Sequence, residues 1–367
     1  MKKPIIALSG ALCLAMAMIG CSGNSQQTET TETETQEEAP VEEAKNTVEL
    51  VNKPEDRRVD VLFDGELFTA YIYPEDIDKP VLYPIVTASG KTVTRRFPIE
   101  QKEGERVDHM HHVGHWMNYG DVNGLDFWNN SPERSAADKP KYGSIRHQTV
   151  NKAEGGNGKG ILDVSMTWET HDGTVLLEEK TVFTFYNEGD DRYFDRETTL
   201  TAMAEVVDFK DNKEGAFAIR VTRELEIPTD KPAIFTDANG NPTEVKALNN
   251  EGVSGNYLSS EGIEGDDVWG TRAKWTSLYG TIENDPVSIT IFDNPSNVGY
   301  PTYWHARGYG LFSANMLGQK ALSDGKEELN FKLEKGQSTT FKYRMLIHSG
   351  SAMDKAALED AYNAFVK

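Results

Sequence analysis

The chain has 367 residues, of which 38% are hydrophobic and 26% charged, and carries a net charge of −21. That length can hold one large core or two smaller ones, and so acidic a surface repels a phosphate backbone, which argues against nucleic acid as a partner. Cys13 and Cys21 are the two cysteines, and Cys13 sits in an apolar leader expected to be removed, so disulfides, thiol nucleophiles and cysteine-ligated zinc are excluded from the mature chain.

Residues 1–20 read as a lipoprotein signal peptide. Lys2 and Lys3 precede an apolar run from Pro4 to Ile19, and Gly20-Cys21 follows as a lipobox-like cleavage site. The run is shorter than the roughly 20 apolar residues that span a bilayer. Cleavage before Cys21 and lipid attachment to its thiol are expected, and Ser22 after it favours the outer membrane of a Gram-negative bacterium, facing the periplasm or the cell surface. Residues 21–45 are almost entirely Thr, Glu and Gln, an acidic, self-repelling tether that cannot bury a core.

Residues 46–367 read as a single β-sandwich domain. Val59–Phe63 and Glu66–Tyr73 flank Asp64-Gly65, a hairpin signal. Val81–Val86 carries Pro84, which predicts an edge or a bulge, and Thr92–Phe97 follows Ser89-Gly90. Ile145–Val150, Ile161–Glu169, Val175–Tyr186 and Tyr193–Met203 alternate as strands, and Ala216–Ile227 does so again. Thr236–Ile263 is a long Gly/Asn-rich excursion. Trp269–Ile282, Val287–Asp293 and Tyr309–Ala314 continue the series, and Leu329–Leu333 with Ser338–His348 predict a last hairpin through Lys335-Gly336. Only Asp354–Phe365 has helical spacing, with Ser351 as its expected cap. Many strands and one terminal helix predict an all-β fold, a large antiparallel sandwich with a short C-terminal helix.

Two clusters carry chemistry. Four of the eight histidines fall between His109 and His115, beside Trp116 and Trp128. If His109–His112 is a strand, His109 and His111 share a face and His112 takes the other. His109 and His111 could then hold a zinc-like divalent ion, completed by His305 or Glu214. The alternative is metal-free acid–base work, one imidazole giving a proton and a carboxylate taking one. In the second cluster, Trp304-His305-Ala306-Arg307, alternation puts His305 and Arg307 on one side, with Arg307 able to bind carboxylate or vicinal hydroxyls. Lys213-Glu214 could present a base at a pocket rim. Trp116, Trp128, Trp269, Trp275 and Trp304 are candidate stacking platforms, of which two at most should line a site. Asp121-Val122-Asn123-Gly124-Leu125-Asp126 echoes part of a calcium loop, but Asn-Gly is first of all a turn. No phosphate loop, nucleophile elbow or His-Glu-X-X-His motif is present.

Several strings together resemble the bacterial PmoA-like family. They are Phe63-Asp64-Gly65, Val93-Thr94-Arg95, Asp108-His109-Met110-His111-His112, Gly120–Trp128, Lys213–Arg220, Trp269–Trp275, and Pro301–Arg307 with Tyr309–Phe312. Departures are Met110 and Val113, where the family usually has Pro and Arg, Asn294 where it favours His, and the string Asn315–Gly318. The resemblance implies a fold similar to the galactose-mutarotase type of β-supersandwich and a carbohydrate substrate. With it, Asp126, Arg272 and Asn315 join Arg307 and Trp304 as expected substrate-binding residues.

The resulting expectation is a carbohydrate-active enzyme, a hydrolase, lyase or epimerase acting on a glycoside or keto-glycoside. His111, His112, His305 and Glu214 would do the acid–base work, with a divalent metal at His109 and His111 as an optional element. The rival expectations are a non-catalytic carbohydrate-binding lipoprotein and a structural or assembly lipoprotein.

Overall fold

The alternation of residues 159–202 folds as three long strands, Lys159–Glu169, Val175–Glu188 and Asp191–Ala202, each burying every second side chain. In the computed structural model, which describes residues 46–246 and 249–367, these strands belong to an eight-stranded antiparallel sheet. Its order is Asn256–Ser259, Trp275–Ile282, Asp285–Asp293, Ser338–Ser349, Asp191–Ala202, Val175–Glu188, Lys159–Glu169 and Ser144–Glu154. A nine-stranded antiparallel sheet packs against it. The order there is Tyr303–Arg307, Leu311–Asn315, Gly215–Arg220, His115–Tyr119, Val81–Ile85, Glu66–Ile72, Arg58–Phe63, Thr47–Lys53 and Gly156–Asn157. The fold is therefore an all-β sandwich. The readings of a signal peptide, a lipidated Cys21 and a tether fall outside the described residues.

The main core lies between the sheets. Phe68 meets Phe185 edge-on, Phe217 stacks on Tyr343, and Phe127 packs on Trp168. Its buried Glu179 carboxylate is answered by protein. Glu179 accepts from Trp168 Nε1 at 2.7 Å, Thr181 at 2.6 Å and Arg196 at 3.0 Å. Burying that carboxylate would be costly without those donors.

The nine-stranded sheet is also covered on its other side. A separate apolar cluster of Val81, Tyr83, Val113, Trp116, Trp128, Ala218 and Leu311 sits on that outer face. Consequently every residue of His115–Tyr119 and of Gly215–Arg220 is buried.

Several expected elements are corrected. At Pro84, where the sequence predicts an edge or a bulge, the strand has neighbours on both sides and the bulge is found, as a register shift between Thr69 and Tyr71. The chain does turn at Lys335-Gly336, where the Gln337 N–H donates to the Glu334 carbonyl at 2.8 Å, but Phe331–Glu334 pairs with Val206–Phe209 rather than with Ser338–Ser349. Thr92–Phe97 forms only isolated bridges. The Thr236–Ile263 excursion contains two short strands, Pro242–Val245 and Asn256–Ser259. The helix is Lys355–Phe365, and its cap is Asp354, whose carboxylate accepts from the Ala357 N–H at 2.9 Å, so Ser351 is not the cap. Asn123 and Gly124 both have positive φ, and the Gly124 N–H donates to Asp121 at 2.9 Å, so the calcium-like string is a tight turn.

Candidate functional site

The chain turns at the histidines instead of running as a strand. The His112 N–H donates to the His109 carbonyl at 2.8 Å, with His109 at a φ of +42°. The turn gathers the three rings that a strand would have separated: His111 and His112 are 4.4 Å apart, and His109 stacks on His112 at 4.8 Å. The expectation that His112 faces away from the other two is thus overturned.

Two buried arginines shape this turn. Arg95 donates to the carbonyls of Arg106, Asp108, His109 and His112, four acceptors on one loop. Arg95 and Arg220 also clamp Asp108 Oδ1 at 2.6 and 2.8 Å. Burial alone would raise the Asp108 carboxyl, but Arg220, His109 and Arg95 outweigh it and hold it far below the usual carboxylate range. Arg220 Nη1 lies 3.2 Å from His112 Nδ1. A guanidinium can only donate, so Nδ1 accepts and the ring proton of His112 sits on Nε2.

Beyond the turn, Gly114 takes a φ of +55°, and a Cβ there would meet the Leu82 carbonyl oxygen at 2.2 Å, so only glycine fits. His115 then points into the core. Its Nδ1 donates to the Ala218 carbonyl at 2.9 Å and its Nε2 faces Arg196 at 3.4 Å. It is a hydrogen-bonded core histidine.

The second cluster joins the first on the outer face. In the strand Tyr303–Arg307, Trp304 and Ala306 belong to the main core, so His305 and Arg307 point the other way. Trp304 donates its Nε1 to the Ala273 carbonyl at 3.1 Å and is fully buried in the main core, on the face opposite His305 and Arg307. Tyr309, just past that strand, stacks on His109 at 5.2 Å, and His305 lies 6.4 Å from Trp128. Two segments some two hundred residues apart in sequence therefore share one site.

Glu214 reaches it from the loop before Gly215–Arg220. Its Oε2 is 3.9 Å from His305 Nδ1, and its Oε1 is ion-paired with Lys213. Asn315 is fully buried and holds this loop: its Nδ2 donates to the carbonyls of Asn212 and Lys213, and its Oδ1 accepts from Leu317 and Gly318. With all its bonds made to backbone, it holds the loop that carries Glu214. Arg272 is likewise committed, to the carbonyls of Gly299, Tyr300 and Pro301 and to Glu327, and is a clamp on that loop. Asp126 builds a turn, accepting from the N–H groups of Trp128 and Asn129 and from the Asn129 side chain, and so orients Trp128. Arg307 forms no ion pair among the described residues and lies over Trp269 at 5.3 Å.

Burial keeps the imidazoles of His111, His112 and His305 neutral. His111 is lowered to about 2 by burial and then by Lys79, and His305 to about 3 by burial and then by Arg307 and Lys213. His112, fully buried, is pushed well below its ordinary value by the same cause. Lys79 was not foreseen. It is 3% exposed, donates to the His111 carbonyl at 2.6 Å, lies over Trp116, and is lowered by burial to about 8. Arg95 and Arg220 were legible only as strings in the resemblance, although a charged residue inside an apolar strand such as Phe217-Ala218-Ile219-Arg220 is itself a signal of function or of a buried pair.

Two clefts, of about 450 and about 400 Å³, flank the turn and share Met110, His111 and Ser131. A larger one, of about 610 Å³, lies by Glu66, Thr87 and Arg192 and contains no histidine. The outer face also holds buried polar atoms with no protein partner: His111 Nε2, His112 Nε2, Trp116 Nε1, Asn118 Oδ1, Trp128 Nε1 and His305 Nδ1. Buried polar groups are ordinarily satisfied, so these atoms make this face the candidate place for a ligand. His109 and His111 have ring centres 5.7 Å apart, and among the described residues no group of three or more His, Cys, Asp or Glu side chains is disposed to hold a metal ion.

Residues 58–363 match the family described as "Family of unknown function (DUF6807)". No curated protein matches the sequence. Among solved structures, the chain is similar to the GH36 alpha-galactosidase AgaB from Geobacillus stearothermophilus, at 9% identity and a TM-score of 0.39, over 82% of this chain and 41% of that one. It is also similar to a mutant of the heparan sulfate lyase HepC from Pedobacter heparinus, at 8% identity and a TM-score of 0.31, over 85% and 36% of the two chains. The Slr1438 protein from Synechocystis aligns at 9% identity and a TM-score of 0.30, over 82% and 96%. The chain thus spans about two fifths of the length of the galactosidase.

Proposed function

We propose that this chain, which belongs to the DUF6807 family, binds a saccharide on the outer face of its nine-stranded sheet and acts on it by proton transfer between His305 and Glu214. The observation that carries this is His305 Nδ1, buried and unpartnered at 3.9 Å from Glu214 Oε2. That gap is too long for a hydrogen bond and suits a hydroxyl set between base and acid. The imidazole, neutral at physiological pH, accepts a proton, and Glu214 supplies or receives the second. Such a pair serves hydrolysis, elimination or epimerisation of a glycoside alike.

A saccharide fits the surroundings. Trp269 and Tyr309 are half-buried rings beside Arg307, which offers a planar donor fork with no carboxylate partner among the described residues. The PmoA-like and mutarotase-like resemblances point to the same ligand class. A lipid anchor at Cys21 on the outer membrane belongs to this reading, and its test is radiolabelled palmitate incorporation that disappears in Cys21→Ala. A divalent ion between His109 and His111 would need further ligands from substrate or solvent, and metal analysis of the purified protein decides it.

His305→Gln and Glu214→Gln should each abolish turnover of a glycoside or keto-glycoside substrate while leaving the melting temperature within a few degrees. Full activity in both would refute the assignment. The ion pair between Lys213 and Glu214 favours a second reading, a non-catalytic sugar-binding protein, in which neither substitution affects binding and Trp269→Ala weakens it.

A further inference from the structure

The unpartnered atoms of the outer face are unequal in kind. His112 Nε2 must carry its ring's proton, because Arg220 donates to Nδ1. An indole nitrogen only donates. His112 Nε2, Trp116 Nε1 and Trp128 Nε1 are therefore three fixed donors, on side chains at most 1% exposed. Their rings form a triangle: His112–Trp116 5.2 Å, Trp116–Trp128 5.2 Å and His112–Trp128 5.6 Å. Against them stands one fixed acceptor, Asn118 Oδ1, whose amide nitrogen is already bonded to the Phe127 carbonyl.

We infer that this nest receives an oxygen carrying no proton, the carboxylate or carbonyl oxygen of the saccharide, and that His112 serves there as a fixed hydrogen-bond donor rather than as an acid or base. A carboxylate offers about four lone-pair sites and can take all three donors at once, and a carbonyl oxygen takes two without adding a donor, whereas a hydroxyl takes two and brings a further donor for which Asn118 Oδ1 is the one fixed acceptor in the nest. The local charge agrees. In a chain of net charge −21, the leading charges acting on His111, His112 and His305 are cationic, among them Lys79, Arg220 and Arg307. This rests on the saccharide reading above and narrows it to oxidised sugars.

The test is a titration, followed by tryptophan fluorescence, of the wild-type protein with methyl glycosides of glucose, galactose and mannose. Each is matched with its uronate and with the corresponding aldonolactone as the carbonyl-bearing arm. At least one oxidised member should bind about tenfold tighter than its neutral match, as a charge-assisted hydrogen bond warrants. Trp116→Phe and Trp128→Phe should each erase that preference. Preference for the uronate identifies a carboxylate, and preference for the lactone a carbonyl. Equal affinity across each matched set overturns this inference and leaves the saccharide reading standing. Failure of every sugar to bind overturns the saccharide reading and this inference with it. Independently of any ligand, ¹⁵N spectra of the free protein should show His112 protonated at Nε2, and a proton on Nδ1 would overturn the assignment of its role.

Discussion

The two faces of the nine-stranded sheet treat the same residue types in opposite ways. On the inner side, His115 bonds to the Ala218 carbonyl and Arg196, and Trp304 and Trp168 give their indole protons to Ala273 and Glu179. On the outer side, His112 Nε2, Trp116 Nε1 and Trp128 Nε1 are as deeply buried and bond to no protein atom. Burial is equal and satisfaction is not. Donors left without an acceptor add nothing to the stability of the free chain, so this histidine and these two tryptophans are organised around something else.

The comparison breaks most visibly at Arg220. Replacing it with Met leaves Asp108, held by Arg95 and Arg220 together, with half its clamp and removes the donor to His112 Nδ1. The expected cost is about 3–5 kcal/mol in denaturant unfolding, and a loss under about 1 kcal/mol would show that the outer-face turn is not held as described.

Next in size is the contrast between two tryptophans. Trp304→Phe strands the Ala273 carbonyl, whereas Trp128→Phe strands nothing in the protein. Trp304→Phe should therefore cost about 1–2 kcal/mol more than Trp128→Phe, beyond the packing loss the two share. Equal costs would erase the distinction between the faces.

The third contrast is in acid stability. The folded protein keeps His305 unprotonated down to about 3 and His111 to about 2, while an unfolded histidine takes up its proton near 6.5. The folded-state values are depressed, so below about 6.5 the unfolded chain binds more protons and stability falls as pH drops. His305→Gln should flatten part of that slope between pH 6 and 4 in pH-dependent unfolding, and an unchanged slope would place His305 outside the buried site.

The same asymmetry explains what the sequence made legible. Lys159–Glu169 alternates buried and exposed positions without a break, so its pattern declares a strand with one wet face. His115–Tyr119 has both faces covered, which removes the alternation and hides the strand. Alternation did assign His305 and Arg307 to one side. Followed through, it also puts Trp304 in the core, against its reading as a sugar platform. The histidine turn is not legible in its own residues because its geometry comes from Arg95 and Arg220, distant in sequence from the residues they hold. Nor does local sequence reveal that Asn315 and Arg272 bond to backbone carbonyls, since those partners are brought up by tertiary folding.

The six indole N–H signals of ¹⁵N-tryptophan-labelled protein, followed while the oxidised sugars are added, test the central claim most directly. Those of Trp116, Trp128 and Trp269, which have no protein acceptor, should shift, and those of Trp168, Trp275 and Trp304, bonded to Glu179, Glu359 and Ala273, should stay in place. A ligand that binds yet moves the second set, or leaves the first unmoved, would contradict the account.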